Sequence, residues 1–407
     1  MSHFKRAFFV LSIISILLTS CSESAKAPRI GEWHVILDLG AGKELPFTME
    51  YRANDQIVFF NADEAIEMSD VVRTGDSILI LHPVFEGVFK GIYTEETITG
   101  DFIKPSLDRI VPFRMNFGTA ERFETNASPA QDVSGNWETV FSPNTVEDRY
   151  IAKGIFKQKE SRVTGTFRTT TGDYRYLDGV VDGDSLKLST FDGAHAFLFE
   201  ARVSDSTMTG VFYSGNHWKE PFEAKRNEHY ELPKADSLTF LKEGYERIAF
   251  SFPDTDGNMV SLTDNVFKDK VVIVQIMGTW CPNCLDESKY YTAFYNANME
   301  KDIAIVALAF EYAKTEEKAI EAINKLRKAL DIPYPILLAQ IGGGSKVKAN
   351  EKLPMLNHVL SYPTTIFIDK KGKVRKIHTG FNGPATGEKY TEFVNEFESF
   401  VTELEAE

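Results

Sequence analysis

Cys281-Pro282-Asn283-Cys284 is the stretch of this 407-residue chain whose residue types and spacing could do chemistry. Two thiols three positions apart, where a buried apolar run meets an amphipathic segment, can close into a small disulfide ring. Such a ring reopens by exchange with a disulfide on another molecule. Pro282 suits the first turn of a helix. The amino end of that helix carries partial positive charge and free N–H donors, which favour a thiolate at Cys281. Cys284, one turn further in, should be more buried and less acidic. The competing use of such a pair is zinc ligation, but no second Cys or His pair stands at suitable spacing, so neither a metal nor another cofactor is expected.

The elements that must position this pair can be read around it. Residues 271–276 are a nearly continuous β-branched run, as expected of a strand buried on both faces of a sheet with parallel members. After the cysteines, Tyr291, Phe294 and Tyr295 form an i, i+3, i+4 helical stripe. A second buried strand follows at 303–308, a helix at 316–330 and a short strand at 335–338. Residues 364–368 and 374–377 form a hairpin through Asp369-Lys370-Lys371-Gly372-Lys373. A closing helix at 389–404 carries Tyr390, Phe393, Val394, Phe397 and Phe400. An opening hairpin at 250–262 turns at Asp256-Gly257. Strand, helix, strand, helix, strand hairpin, helix is the thioredoxin order.

Gly278-Thr279-Trp280-Cys281-Pro282-Asn283-Cys284, taken with Ser361-Tyr362-Pro363-Thr364-Thr365, resembles the TlpA-like family of extracytoplasmic thiol-disulfide oxidoreductases, in the thioredoxin superfamily. The resemblance covers about residues 250–403, under half of the chain. It implies that Cys281 is the exposed nucleophile and Cys284 the resolving thiol of a redox disulfide. It also implies a cis-proline at Pro363, with Trp280 and Tyr362 beside the substrate, and an active-site acid at Glu287. Glu287 lies three positions after Cys284, on the same helical face. Buried beside the thiols, its raised pKa would let it take a proton from Cys284 as a mixed disulfide resolves. Two features depart from the pattern. Gln275 stands six before Cys281, where many thioredoxins have a buried Asp. Residues 339–357, with Gly342-Gly343-Gly344, are longer than the usual link into the proline loop and read as a flexible loop bordering the substrate groove.

The formal charge of −14 argues against nucleic acid as a partner. Three cysteines in so long a chain exclude a disulfide scaffold. The third, Cys21, closes a targeting segment with Lys5 and Arg6 ahead of an apolar run at 7–18, too short to span a bilayer comfortably. Leu18-Thr19-Ser20-Cys21 resembles the bacterial lipobox, which implies lipidation at Cys21 and a periplasm-facing lipoprotein of the cell envelope. Ser22 in place of Asp mildly favours the outer membrane. A short anchor, or an ordinary signal with a chance cysteine, is the alternative.

Between anchor and dithiol, short alternating runs broken by Gly, Asp and Asn suggest antiparallel strands, among them 35–37, 56–60, 77–81 and 88–93. Part of the pattern recurs in order. Gly31-Glu32-Trp33 returns as Gly135-Asn136-Trp137, Gly75-Asp76-Ser77 as Gly183-Asp184-Ser185, and Ile98-Thr99-Gly100 as Met208-Thr209-Gly210. The expected organisation is a signal peptide at 1–20, a tether at 21–30, β-rich units at 31–126 and 133–228, a linker at 229–246 and a thioredoxin-like domain at 247–404. The fold class is thus multidomain: two antiparallel all-β units, barrel or sandwich (one composite sheet stays open), then an α/β thioredoxin-like fold. His34, His82, His195, His217 and His229 are scattered without metal spacing. The β units read as a spacer or docking part, with an interior ligand site as the lesser reading.

The chain therefore reads as a membrane-tethered enzyme that exchanges disulfides in envelope proteins. The resemblance implies a reductant serving apocytochrome c or another disulfide-containing protein substrate, recharged by a membrane thiol-reducing carrier. A binding lipoprotein with a thioredoxin-like docking module, and a thiol peroxidase on the same fold, are the alternatives. The intact Cys pair weighs against the first and Cys-Pro-Asn-Cys against the second.

Overall fold

The computed structural model describes residues 26–68, 70–118 and 121–407. The targeting segment and Cys21 lie outside the described residues. None of the helices among the described residues is long and apolar enough to cross a membrane.

The first sheet has nine antiparallel strands. Its spatial order is Glu64–Glu67, Gln56–Asn61, Lys43–Arg52, Gly31–Gly40, Arg109–Phe117, Thr97–Lys104, Val88–Tyr93, Ser77–Leu81 and Asp70–Thr74. The two edge strands are neighbours in sequence but do not pair among the described residues, where the sheet stays open. The second sheet also has nine strands. One is the two-residue strand Gly172–Asp173, and the others run up and down from Gly135–Phe141 to Trp218–Arg226, where last pairs with first. This closes a barrel, so neither sheet is a sandwich.

The recurring Gly-x-Trp starts do the same job in both sheets. Trp33 and Trp137 are fully buried. Each indole N–H donates to the carbonyl four residues earlier, Arg29 at 3.0 Å and Val133 at 2.9 Å. Inside the barrel, Phe141, Phe167, Phe199, Phe212 and Phe222 pack ring on ring. These aromatic rings make up much of the barrel's apolar core.

The open sheet completes its core with the barrel wall. Phe191, Ala196 and Leu198 of the barrel enter the apolar cluster of the first sheet. Phe191 stacks on Phe47 at 4.8 Å and meets Phe59, Phe89 and Phe102 edge-on. Buried Arg122 ties the seam by donating to the Pro46 and Ser189 carbonyls and to Ser189 Oγ. The two sheets are thus packed together through a shared apolar cluster.

The C-terminal region is a five-stranded sheet in the order Ile336–Gln340, Ile303–Phe310, Val271–Met277, Thr364–Ile368 and Val374–Thr379. The first three strands are parallel, and Thr364–Ile368 runs antiparallel to both of its neighbours. Val271–Met277 is buried along its whole length, as its unbroken apolar run requires. The helices are α1 (Pro282–Ala297), α2 (Glu316–Leu330), α3 (Lys346–Lys352) and α4 (Glu388–Ala406). Thr315 caps α2 by accepting from Lys318 N–H, with Glu316 and Glu317 in its first turn and Arg327 and Lys328 in its last. Tyr290 and Phe294 of α1 pack on Phe393 and Phe397 of α4. The stretch 339–357, read as a flexible loop, holds α3. Ser345 just after the glycines accepts from Lys348 N–H and nucleates that helix.

Candidate active site

The motif sits where Val271–Met277 ends and α1 begins. Cys281 is the N-cap of α1, and its Sγ accepts from the Cys284 N–H at 3.3 Å. The same Sγ donates to the Tyr362 carbonyl at 3.3 Å. The Tyr362–Pro363 peptide is cis, as the resemblance implies. Both cysteines are free thiols. Cys284 is fully buried, and burial first, then its contact with Cys281, pushes its thiol well above the usual range.

Glu287 is fully buried one turn after Cys284. Its carboxylate accepts from Gln275 Nε2 at 2.8 Å, Thr365 Oγ1 at 2.9 Å and Tyr291 OH at 3.1 Å. Burial outweighs these three bonds and raises the carboxyl to about 7. Gln275, the residue that departs from the thioredoxin pattern, is thus one of the groups that hold this acid in place. Ser288 contacts both ends of the Gln275 amide.

A second buried acid was not foreseen. Glu311 follows directly on Ile303–Phe310 and accepts from Thr279 N–H at 2.9 Å and Thr279 Oγ1 at 2.6 Å. Burial raises it also to about 7. An acid abutting an apolar strand was the only signal in the sequence. Trp280 donates to the Phe310 carbonyl at 2.8 Å, lies on Tyr312 with ring centres 4.1 Å apart and meets Tyr362 edge-on. A side chain at Gly278 would strike Trp280 Nε1 at 2.3 Å, so only glycine lets the indole fold back.

The expectation of an exposed nucleophile is not met. Cys281 is 7% exposed, and Tyr362 and Pro363 are buried. A segment of the barrel, residues 171–175, lies against their neighbours Ser361, Pro282 and Asn283. Ser361 Oγ donates to the Thr171 carbonyl at 2.7 Å, Asn283 Nδ2 to the Asp173 carbonyl at 3.2 Å, and Gly383 N–H to Asp173 Oδ2 at 2.6 Å. Gly172 has a φ of +143°, and a Cβ there would lie 2.1 Å from Asn283 Nδ2. Arg175 donates to the Pro282 carbonyl at 3.2 Å and pairs with Asp286, Glu64 and Asp192. Most of these contacts join residues more than a hundred positions apart, which no local pattern reveals.

Comparison with known proteins gives the class. The redoxin family model matches residues 242–392. The thioredoxin-like protein YneN of Bacillus subtilis is 31% identical over 140 residues, 34% of this chain and 73% of that protein. The thiol-disulfide oxidoreductase ResA of Bacillus thuringiensis is 31% identical over 134 residues, 33% of this chain and 68% of that one. A solved thiol-disulfide oxidoreductase from Bacteroides fragilis is 19% identical, spans 37% of this chain and 99% of its own, and has a TM-score of 0.27. The chain belongs to the redoxin thiol-disulfide oxidoreductases of the thioredoxin superfamily. It is an enzyme that acts on disulfides.

Proposed function

We propose that the chain is a membrane-tethered reductant of disulfides in envelope proteins, apocytochrome c among them, working through Cys281 and Cys284. The observation that carries the reading is the arrangement of three groups. A reduced Cys281 caps the helix against the Tyr362 carbonyl, a buried Cys284 lies behind it, and a buried acid stands one turn further on. Cys281 thiolate attacks a substrate disulfide, forming a mixed disulfide and expelling one substrate thiolate. Glu287 takes the proton of Cys284, whose sulfur then attacks Cys281 Sγ. The second substrate thiolate leaves, and two electrons have passed from the dithiol to the substrate. The resulting Cys281–Cys284 disulfide is reduced again by a membrane thiol carrier. Trp280, Tyr362 and Pro363 border the reacting sulfurs. Lipidation at Cys21 places this chemistry on the periplasmic face of the envelope, in the outer membrane by the residue after the cysteine.

Insulin reduction tests the reading. The parent chain should turn insulin over with a thiol donor, and Cys281→Ser should abolish this. Cys284→Ser should hold a covalent, thiol-releasable partner from an envelope extract. Equal insulin reduction by Cys281→Ser and parent would overturn it.

A further inference from the structure

Where the barrel closes one flank of the motif, a cavity of about 680 Å³ opens on the other. It lies among all three parts of the chain: the open sheet supplies Phe85, Phe102 and Val111, the barrel His195 and His217, and the thioredoxin-like region Trp280 and Tyr312. Its size is that of a small-molecule site.

Its charge sets it apart from the rest of an acidic chain. Lys104 and Arg109 line it, and among the described residues neither makes an ion pair. Lys104 instead donates to the Ala194 carbonyl at 2.8 Å. Burial, then Arg109, Lys104 and His195, disfavours a charge on His217; burial also disfavours the charge on Lys104, which Asp192 and Glu86 favour and Arg109 opposes. Three of the four carboxylates at the cavity are engaged, and the fourth, Glu321, is a neighbour of Lys325 on α2. Asp108 pairs with Lys314, Glu86 accepts from Ser106, and Glu311 accepts from Thr279. Two half-buried cations without an ion-pair partner among the described residues, facing a hollow with aromatic walls, suit an anion. The aromatic wall calls for an apolar body on that anion.

We propose that this cavity binds a small amphipathic anion, a single carboxylate, sulfonate or phosphate on an aromatic or branched apolar body. The acid group lies against Lys104 and Arg109 and the body against Phe85, Trp280 and Tyr312. The site is separate from the dithiol but shares Thr279 and Trp280 with the motif, so its occupant rests one residue from the nucleophile. The claim concerns binding alone and stands or falls apart from the direction of electron flow.

Two fluorescent probes of similar shape test it on the purified full chain: 1-anilinonaphthalene-8-sulfonate, which carries the anion, and N-phenyl-1-naphthylamine, which lacks it. The expected result is saturable binding of one sulfonate per chain. The double variant Lys104→Met, Arg109→Leu should weaken the sulfonate at least tenfold and leave the neutral probe within twofold. Ala322→Trp, which places an indole in the cavity from α2, should weaken both at least tenfold. Ala322 lines the cavity from α2 rather than from either β sheet, so this arm decides the matter even if the double variant fails to fold. Sulfonate affinity that changes less than threefold in the double variant, or that is untouched by Ala322→Trp, overturns the proposal.

Discussion

Replacing Glu287 by Gln isolates the one carboxyl held behind Cys284. Its carboxyl titrates at about 7 in the folded chain against the ordinary glutamate value of 4.5. Its folded pKa is raised, so the folded state holds a proton that the unfolded chain has released, and stability falls as pH rises between the two values. At about 1.4 kcal/mol per unit, the loss comes to about 3 kcal/mol, complete above pH 7 and absent below pH 4.5. Glu311 shifts in the same direction but is common to parent and variant, so it cancels in the difference. The substitution is sterically mild. The carbonyl oxygen of the introduced amide still accepts from Thr365 and Tyr291, and the Gln275 amide can turn to face its new neighbour because Ser288 contacts either end. Urea unfolding of the reduced proteins at a series of pH values is the assay. Glu287→Gln should match the parent within about 1 kcal/mol near pH 4.5 and exceed it by about 3 kcal/mol at about pH 8. The same variant should slow resolution of the mixed disulfide by about a hundredfold, the lower end for a lost general base. A stability difference that is flat with pH refutes the buried-acid account, and an unchanged resolution rate refutes the proton transfer.

Arg175→Met leaves Glu64, Asp192 and Asp286 without their shared guanidinium. Breaking a buried ion pair from one side costs about 3–5 kcal/mol, and the freed 171–175 segment should speed iodoacetamide alkylation of Cys281. An unchanged melting temperature and alkylation rate would show that the clamp holds nothing. Cys21→Ala should release the chain from membranes after alkaline wash, and retention would remove the lipid anchor.

How much was legible depended on whether a signal was local. Val271–Met277, Glu316–Leu330 and Thr364–Ile368 follow from runs and stripes that neighbouring residues impose on one another. The repeated Gly-x-Trp starts were visible because each indole bonds only four residues back. Lys43–Arg52 escapes such a reading, since Pro46 and its polar residues weaken the alternation. Barrel closure depends on the pairing of Gly135–Phe141 with Trp218–Arg226, and no run of residues encodes such a distant register. Within the site, Glu287 could be placed by helical spacing from Cys284. Gln275 looked like a loss until the fold set it 2.8 Å from that acid. Arg175 carried no mark at all, because its importance comes from the carboxylates that three separate parts of the chain bring to it.

The grip of residues 171–175 on the motif bears on how this protein can be dissected. A C-terminal fragment beginning anywhere between Asn227 and Arg247 would lack Arg175, Asp173 and Thr171, the partners of Asp286, Gly383 and Ser361. The liberated C-terminal fragment would display Asn283 and the proline loop as an unoccupied cleft. Partner trapping on such a fragment would therefore report on a motif from which residues 171–175 have been removed.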